Sequence, residues 1–161
     1  MNIDNKDFEK KIEDWIEHVY DEFLVDLGDL IKIRSVSSES KDNFPFGLGC
    51  AQVLDKVLEI SGDYGFKTKN HEYYCGTCEL EGKDNQKEIG VFSHLDIVPE
   101  GENWTYEPFS LTLEKGHLIG RGVDDNKGPA VTALYAMRFL KENEILLNNK
   151  RSEERRVGKE C

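Results

Sequence analysis

The residues best suited to chemistry lie in two short stretches. The first, "GVFSHLDIVPE" at 90–100, ends a run of β-formers in Ser93-His94-Leu95-Asp96. Strand side chains alternate between faces, so His94 and Asp96 point the same way. Such a pair is either a satisfied polar couple at a strand end or a metal ligand with the carboxylate that orients its imidazole. The second, "GRGVDDNKGP" at 120–129, sets Asp124 and Asp125 among three glycines just before a helix. Glycines there permit positive φ and a close approach of backbone to ligand. The stretch lacks the Gly-Lys-Ser/Thr ending of a phosphate loop, and its carboxylates stand where an anion would sit. Carboxylates clustered with a distant histidine favour a divalent cation. Alone, His94 would read as a satisfied core histidine; Asp96, Asp125 and the flanking glycines turn that reading toward a metal.

The elements that must position these residues follow from periodicity. Apolar positions from Phe8 to Ile31, spaced three and four apart, predict an amphipathic helix over 7–34 with a break near Gly28. "RSVSSESKDNFPFG" is a polar loop punctuated by Pro and Gly. Helical spacing restarts over 48–62 through Ala51, Val53, Leu54, Val57, Leu58 and Ile60, and stops at Ser61-Gly62. Strand-like pieces follow: "GFKTKNHEYY", "CGTCELEG", "EIGVFSHLD" and "FSLTLEKGHLIG", separated by turn signals. A last helix is predicted from about Pro129 to Asn143, with proline in its tolerated first-turn position. Helices alternating with strands indicate an α/β layered domain, a mixed sheet flanked by helices.

The 161 residues suffice for one domain with a real core. A formal net charge of −11 argues against nucleic acid and anionic membrane as partners, since both require a basic face. No apolar run approaches a membrane span, and "MNIDNKDFEKK" lacks the layout of a signal peptide, so a cytoplasmic protein is expected. Cys75-Gly-Thr-Cys78 has CxxC spacing, but no second pair exists and no redox-type helix follows. On a strand, positions three apart face opposite ways, so the reading is two small buried thiols. His18, His71 and His117 read as surface histidines.

The last eleven residues, "RSEERRVGKEC", break the pattern. Residues 1–150 carry a net charge of −12, whereas the tail carries +1 and no apolar periodicity. It follows "KENEILLNNK", where a helix ends and a strand is about to begin. The string resembles the in-frame translation of a sequencing adapter. The expectation is that the authentic sequence stops near Lys150 and that 151–161 is a non-native tail.

Together the two stretches resemble the dinuclear metallopeptidases that include carboxypeptidase G, aminoacylase, acetylornithine deacetylase and, closest, the PepV-type dipeptidases. Ser93-His94-Leu95-Asp96 is similar to that family's Gly/Ser-His-x-Asp strand end, and Arg121–Gly128 to its Arg-Gly-x-x-Asp-x-Lys-Gly pattern. The resemblance covers residues 7–150 and implies the N-terminal portion of a zinc-peptidase-type, phosphorylase/hydrolase-like catalytic domain, incomplete here. It implies His94 as ligand to one metal, Asp125 as a carboxylate bridging two, and Asp96 as the catalytic-site residue that orients His94. Asp124 falls at a variable position and is not read as a ligand. A cis peptide at Asp125–Asn126 is implied as well. The implied cofactor is a pair of divalent ions, zinc first, with manganese or cobalt as alternatives. They would sit about 3.5–4 Å apart and activate a water for amide hydrolysis in dipeptides or small peptides. The family's general-base glutamate and remaining ligands are not identifiable in 1–150. Glu153 and Glu154 are rejected for that role, because "RSEERR" lacks the apolar strand that should precede it. The chain by itself is therefore expected to be inactive. The alternatives are a deacylase of N-acyl amino acids from the same family, or a non-catalytic binding or scaffold domain that keeps the fold.

Overall fold

The computed structural model describes residues 5–147 and 149–156, and of 84–87 and 149–156 the backbone alone. Helix α1 (Asn5–Ile31) runs without interruption through Gly28. The expected break is absent: one interior glycine costs a helix about 0.5–1 kcal/mol, less than burial of the flanking Leu27, Leu30 and Ile31 contributes. Helix α2 (Leu48–Asp63) ends where Gly65 takes a φ of +71°, with the Phe66 N–H donating back to the Ser61 carbonyl. Helix α3 (Gly128–Glu142) carries Pro129 in its first turn, where no intrahelical N–H is needed, and ends at Asn143.

The strands are β1 (Lys67–His71), β2 (Cys75–Leu80), β3 (Asp84–His94), β4 (Thr112–Glu114), β5 (His117–Ile119) and β6 (Asn149–Arg156). Four of them form a mixed sheet in the order β1-β2-β6-β3; only the β6–β3 pairing is parallel. Strands β4 and β5 make a separate hairpin. The strand expected near Lys150 thus begins at Asn149 and carries Arg151–Arg156 between β2 and β3. In its register Glu153 faces Val91 and Glu154 faces Phe92, both short of the rung at which Arg156 faces His94.

Helix α2 packs on β1 and β2, and α3 on β3. One core results, in which Leu27, Leu30 and Ile31 of α1 meet Val53, Leu54 and Val57 of α2, Leu95 beyond β3, and Leu134 and Met137 of α3. Burying each such aliphatic side chain stabilises the fold by about 1.5–3 kcal/mol. Cys78 lies in this core and Cys75 is half-buried; the described cysteines form no disulfide. His18 and His117 are exposed, and His71 is half-buried beside Thr77. No helix among the described residues is long and apolar enough to cross a membrane.

Candidate metal site

His94 is the last residue of β3, at the sheet edge, and its side chain is 34% exposed. The chain then leaves the sheet. Leu95, Asp96 and Ile97 are buried, and Ile97 makes an isolated parallel bridge with Val36. Ser35 clamps this exit from both sides. Its Oγ donates to the Leu95 carbonyl at 2.7 Å, and its own carbonyl accepts from the Ile97 N–H at 3.0 Å. Asp96, between the two clamped residues, is only 2% exposed.

Asp125 arrives from the other side of the site. Gly122 takes a φ of +91°, and the backbone closes a wide turn over Val123–Lys127 by donating the Lys127 N–H to the Gly122 carbonyl at 2.9 Å. Inside it Asp125 is extended (φ −128°, ψ 92°), and the Asp125–Asn126 peptide is cis, as expected. A Cβ on Gly128 would stand 2.1 Å from the Val123 carbonyl oxygen, so only glycine lets the helix start this close to the turn.

The two motifs meet. His94 Nε2 stands 2.9 Å from Asp125 Oδ1. Asp124 has no such contact with His94, and its side chain is exposed. On the far side of the ring, Nδ1 lies 3.2 Å from two oxygens of Asp96, its backbone carbonyl and its Oδ1. The carbonyl lies in the hydrogen-bonding direction; Oδ1 does not, and it is left buried without a hydrogen-bond partner. The strand geometry anticipated Asp96 beside His94, but the group that accepts from the ring is main chain. With Nδ1–H assigned as the donor, Nε2 of a neutral ring presents a lone pair to a carboxylate. Two acceptors at that distance repel unless a cation lies between them, either a proton or a metal ion.

The donor chemistry fits such an ion: imidazole nitrogen and carboxylate oxygen are the ligands zinc takes, and an oriented imidazole is their usual companion. Three further buried polar atoms lack partners among the described residues, namely Ser93 Oγ, Asn126 Oδ1 and Arg121 Nε. The first two belong to residues adjacent in sequence to His94 and Asp125. No group of three or more His, Cys, Asp or Glu converges among the described residues. Among the described residues His94 and Asp125 are the two candidate donors that meet, where a four-coordinate ion would require four.

Lys127 is the functional neighbour that motif reading passes over. It is completely buried, and its Nζ donates to the carbonyls of Leu30 and Ile33, both at 2.8 Å. Burial pushes its ammonium down to about 8. Two carbonyl acceptors at a helix C-terminus oppose that trend, because they favour the charged form. Ser35 was missed in the same way, since nothing in "RSVSS" distinguishes a clamp from a loop serine.

Residues 90–152 match the model of peptidase family M20/M25/M40, and the match takes in both motifs. The chain belongs to this family. Among its M20 relatives, the Beta-Ala-Xaa dipeptidase of Lactobacillus delbrueckii subsp. lactis is 40% identical over 127 residues, 76% of this chain and 26% of that protein. The putative dipeptidase YtjP of Bacillus subtilis is 35% identical over 133 residues, 81% of this chain and 28% of that protein. The chain thus spans about a quarter of the length of the curated relatives it matches. Human carnosine dipeptidase 1 superposes with a TM-score of 0.77 at 23% identity, over 91% of this chain and 34% of that one. An M20 metallo-carboxypeptidase of Sulfolobus solfataricus superposes with a TM-score of 0.67 at 25% identity, over 84% and 30%. The mixed sheet with its helices is therefore part of the M20 peptidase fold.

Proposed function

We propose that the protein to which this chain contributes a catalytic segment is a metal-dependent dipeptidase that hydrolyses the amide bond of dipeptides or small peptides. The observation that carries the reading is the 2.9 Å approach of His94 Nε2 to Asp125 Oδ1, an imidazole nitrogen and a carboxylate brought together from separate motifs. Two divalent ions, zinc first and manganese or cobalt as alternatives, would supply an acidified water and a polarised scissile carbonyl when bound.

The chain's own residues have these parts. His94 Nε2 would be a ligand to one ion. The carboxylate of Asp125, whose side chain is 75% exposed, would help hold both. Asp96 holds the ring from the Nδ1 side through its carbonyl, with Oδ1 close by. The reading takes residues 1–150 as the catalytic segment, leaves 151–161 outside it and gives Glu153 and Glu154 no role. A cytoplasmic location belongs to the same reading.

The test is metal content and hydrolysis in the full-length protein. Two equivalents of metal and cleavage of a β-alanyl or alanyl dipeptide are expected. His94→Ala and Asp125→Asn should each abolish tight binding of at least one ion. Asp96→Asn keeps the backbone carbonyl that holds Nδ1, so affinity should fall by less than the roughly 10–100-fold expected when an orienting partner is lost. A protein that binds no divalent metal refutes the reading and favours a scaffold. Preference for N-acetyl amino acids over dipeptides would move it to the deacylases.

A further inference from the structure

Asp125 must be aimed, and little around it does the aiming. Its carboxylate is 75% exposed, so its place comes from the backbone of its turn rather than from side chains packed about it. That turn is closed on itself by the Lys127 N–H to the Gly122 carbonyl and abuts Val123 at Gly128. The closed turn is attached to the rest of the fold at one end by the Lys127 side chain. The attachment point is chemically specific. The C-terminus of α1 has no basic residue in its last turn, and the final carbonyls of a helix lack intrahelical donors. Lys127 supplies the missing cation from 97 residues away, on the carbonyl of Leu30, and adds the carbonyl of Ile33 just beyond the helix.

We propose that Lys127 is a positioning residue for Asp125: its buried ammonium, held by the carbonyls of Leu30 and Ile33, fixes the turn Val123–Lys127 against the end of α1 so that the Asp125 carboxylate faces His94. The inference rests on the metallohydrolase reading for its consequence but not for its geometry. An apolar residue of the same length keeps the packing and removes the anchor. The Ile33 carbonyl then loses the lysine donor, the Leu30 carbonyl keeps only the Ile33 N–H, and the turn is free to shift.

The experiment compares the full-length wild type with Lys127→Met and with Leu54→Ala, a core variant that lowers stability without touching the turn, at a temperature where all are folded. Zinc affinity is read by competition with a chromophoric chelator. Lys127→Met should bind zinc about 10–100-fold more weakly, as loss of a supporting partner does, while Leu54→Ala binds like wild type. Equal affinity of Lys127→Met and wild type, or an equal loss in Leu54→Ala, overturns the proposal. If Lys127→Met does not fold, the metal-loaded wild-type crystal structure decides. Nζ on both carbonyls with Asp125 on the ion supports it, and an ammonium turned away from Leu30 and Ile33 overturns it. If wild type binds no zinc, the hydrolase reading fails by itself. The positioning role is then judged from the metal-free Lys127→Met structure: Asp125 parted from His94 supports it, and an unchanged contact ends it.

Discussion

Replacing Gly122 by alanine should damage this protein through two separable effects, and the structure supplies a control for each. Gly122 has a φ of +91°, a conformation that costs an L-residue about 1–2 kcal/mol. A Cβ built there stands 2.8 Å from Ile97 Cγ2 and 3.3 Å from Lys127 Cδ. Neither neighbour can withdraw. Ile97 is 5% exposed with its N–H committed to Ser35, and Lys127 is wholly buried with its ammonium on two carbonyls. Forcing a methyl into such a place adds about 1–3 kcal/mol, so the total is about 2–5 kcal/mol. Gly116 has a similar φ of +80° but open space around its missing Cβ, so Gly116→Ala should lose only the conformational part, about 1–2 kcal/mol. Gly62, inside α2 with open space and no positive φ, should gain about 0.5–1 kcal/mol as alanine. The assay is urea unfolding followed by circular dichroism, with midpoints compared at unchanged slope. If Gly122→Ala falls within about 0.5 kcal/mol of Gly116→Ala, the tight packing of the turn against Ile97 and Lys127 is wrong.

Tyr64 and Tyr135 both donate to Asp26 Oδ2, at 2.6 and 2.8 Å, and burial followed by that hydrogen bond pushes the Tyr64 phenol up to about 12. The unfolded chain loses this proton near pH 10 while the folded protein keeps it, so stability should fall as pH rises from about 10 to 12. Tyr64→Phe should flatten that decline, and an equally steep decline in the variant would exclude Tyr64 as its source. Arg138 stacks 4.1 Å over the Tyr64 ring and pairs with Glu22 and Glu142 at 2.6 Å each, so Arg138→Lys should lower stability by about 1–2 kcal/mol in thermal unfolding, and a neutral result would show that the planar fork is not used. Cys50, 1% exposed with its thiol pushed up to about 11 by burial, should resist iodoacetamide in the native protein at pH 8, and labelling at the rate of an open thiol would show that the start of α2 opens.

The two motifs were legible because their information is local. A strand's two-residue period placed His94 and Asp96 on one side, and the glycines around Asp125 marked a backbone that only a tight turn requires. Helix bounds were readable for the same reason, with Gly28 as the instructive miss. A glycine inside a helix reads as a weak point, but a helix held by a buried face on both sides of it keeps its course. Lys127 shows the same limit. In sequence it is one position of the Arg-Gly-x-x-Asp-x-Lys-Gly pattern, with nothing to say what it touches. Its true partners are main-chain carbonyls, which every residue carries and no pattern marks. Asp96 was placed correctly, yet the ring is held by its carbonyl, since a buried strand exit sets backbone as well as side chain within reach.

The clasp between Lys127 and the end of α1 also has a history in time. During synthesis the last carbonyls of α1 leave the ribosome long before the lysine that will satisfy them, 97 residues later. At roughly 5–20 residues per second, that delay is about 5–20 s. Through it the Leu30 carbonyl has only the Ile33 N–H, and loop closure must be complete before the turn can seat. The turn that carries Asp125 thus cannot seat on α1 until Lys127 has been synthesised.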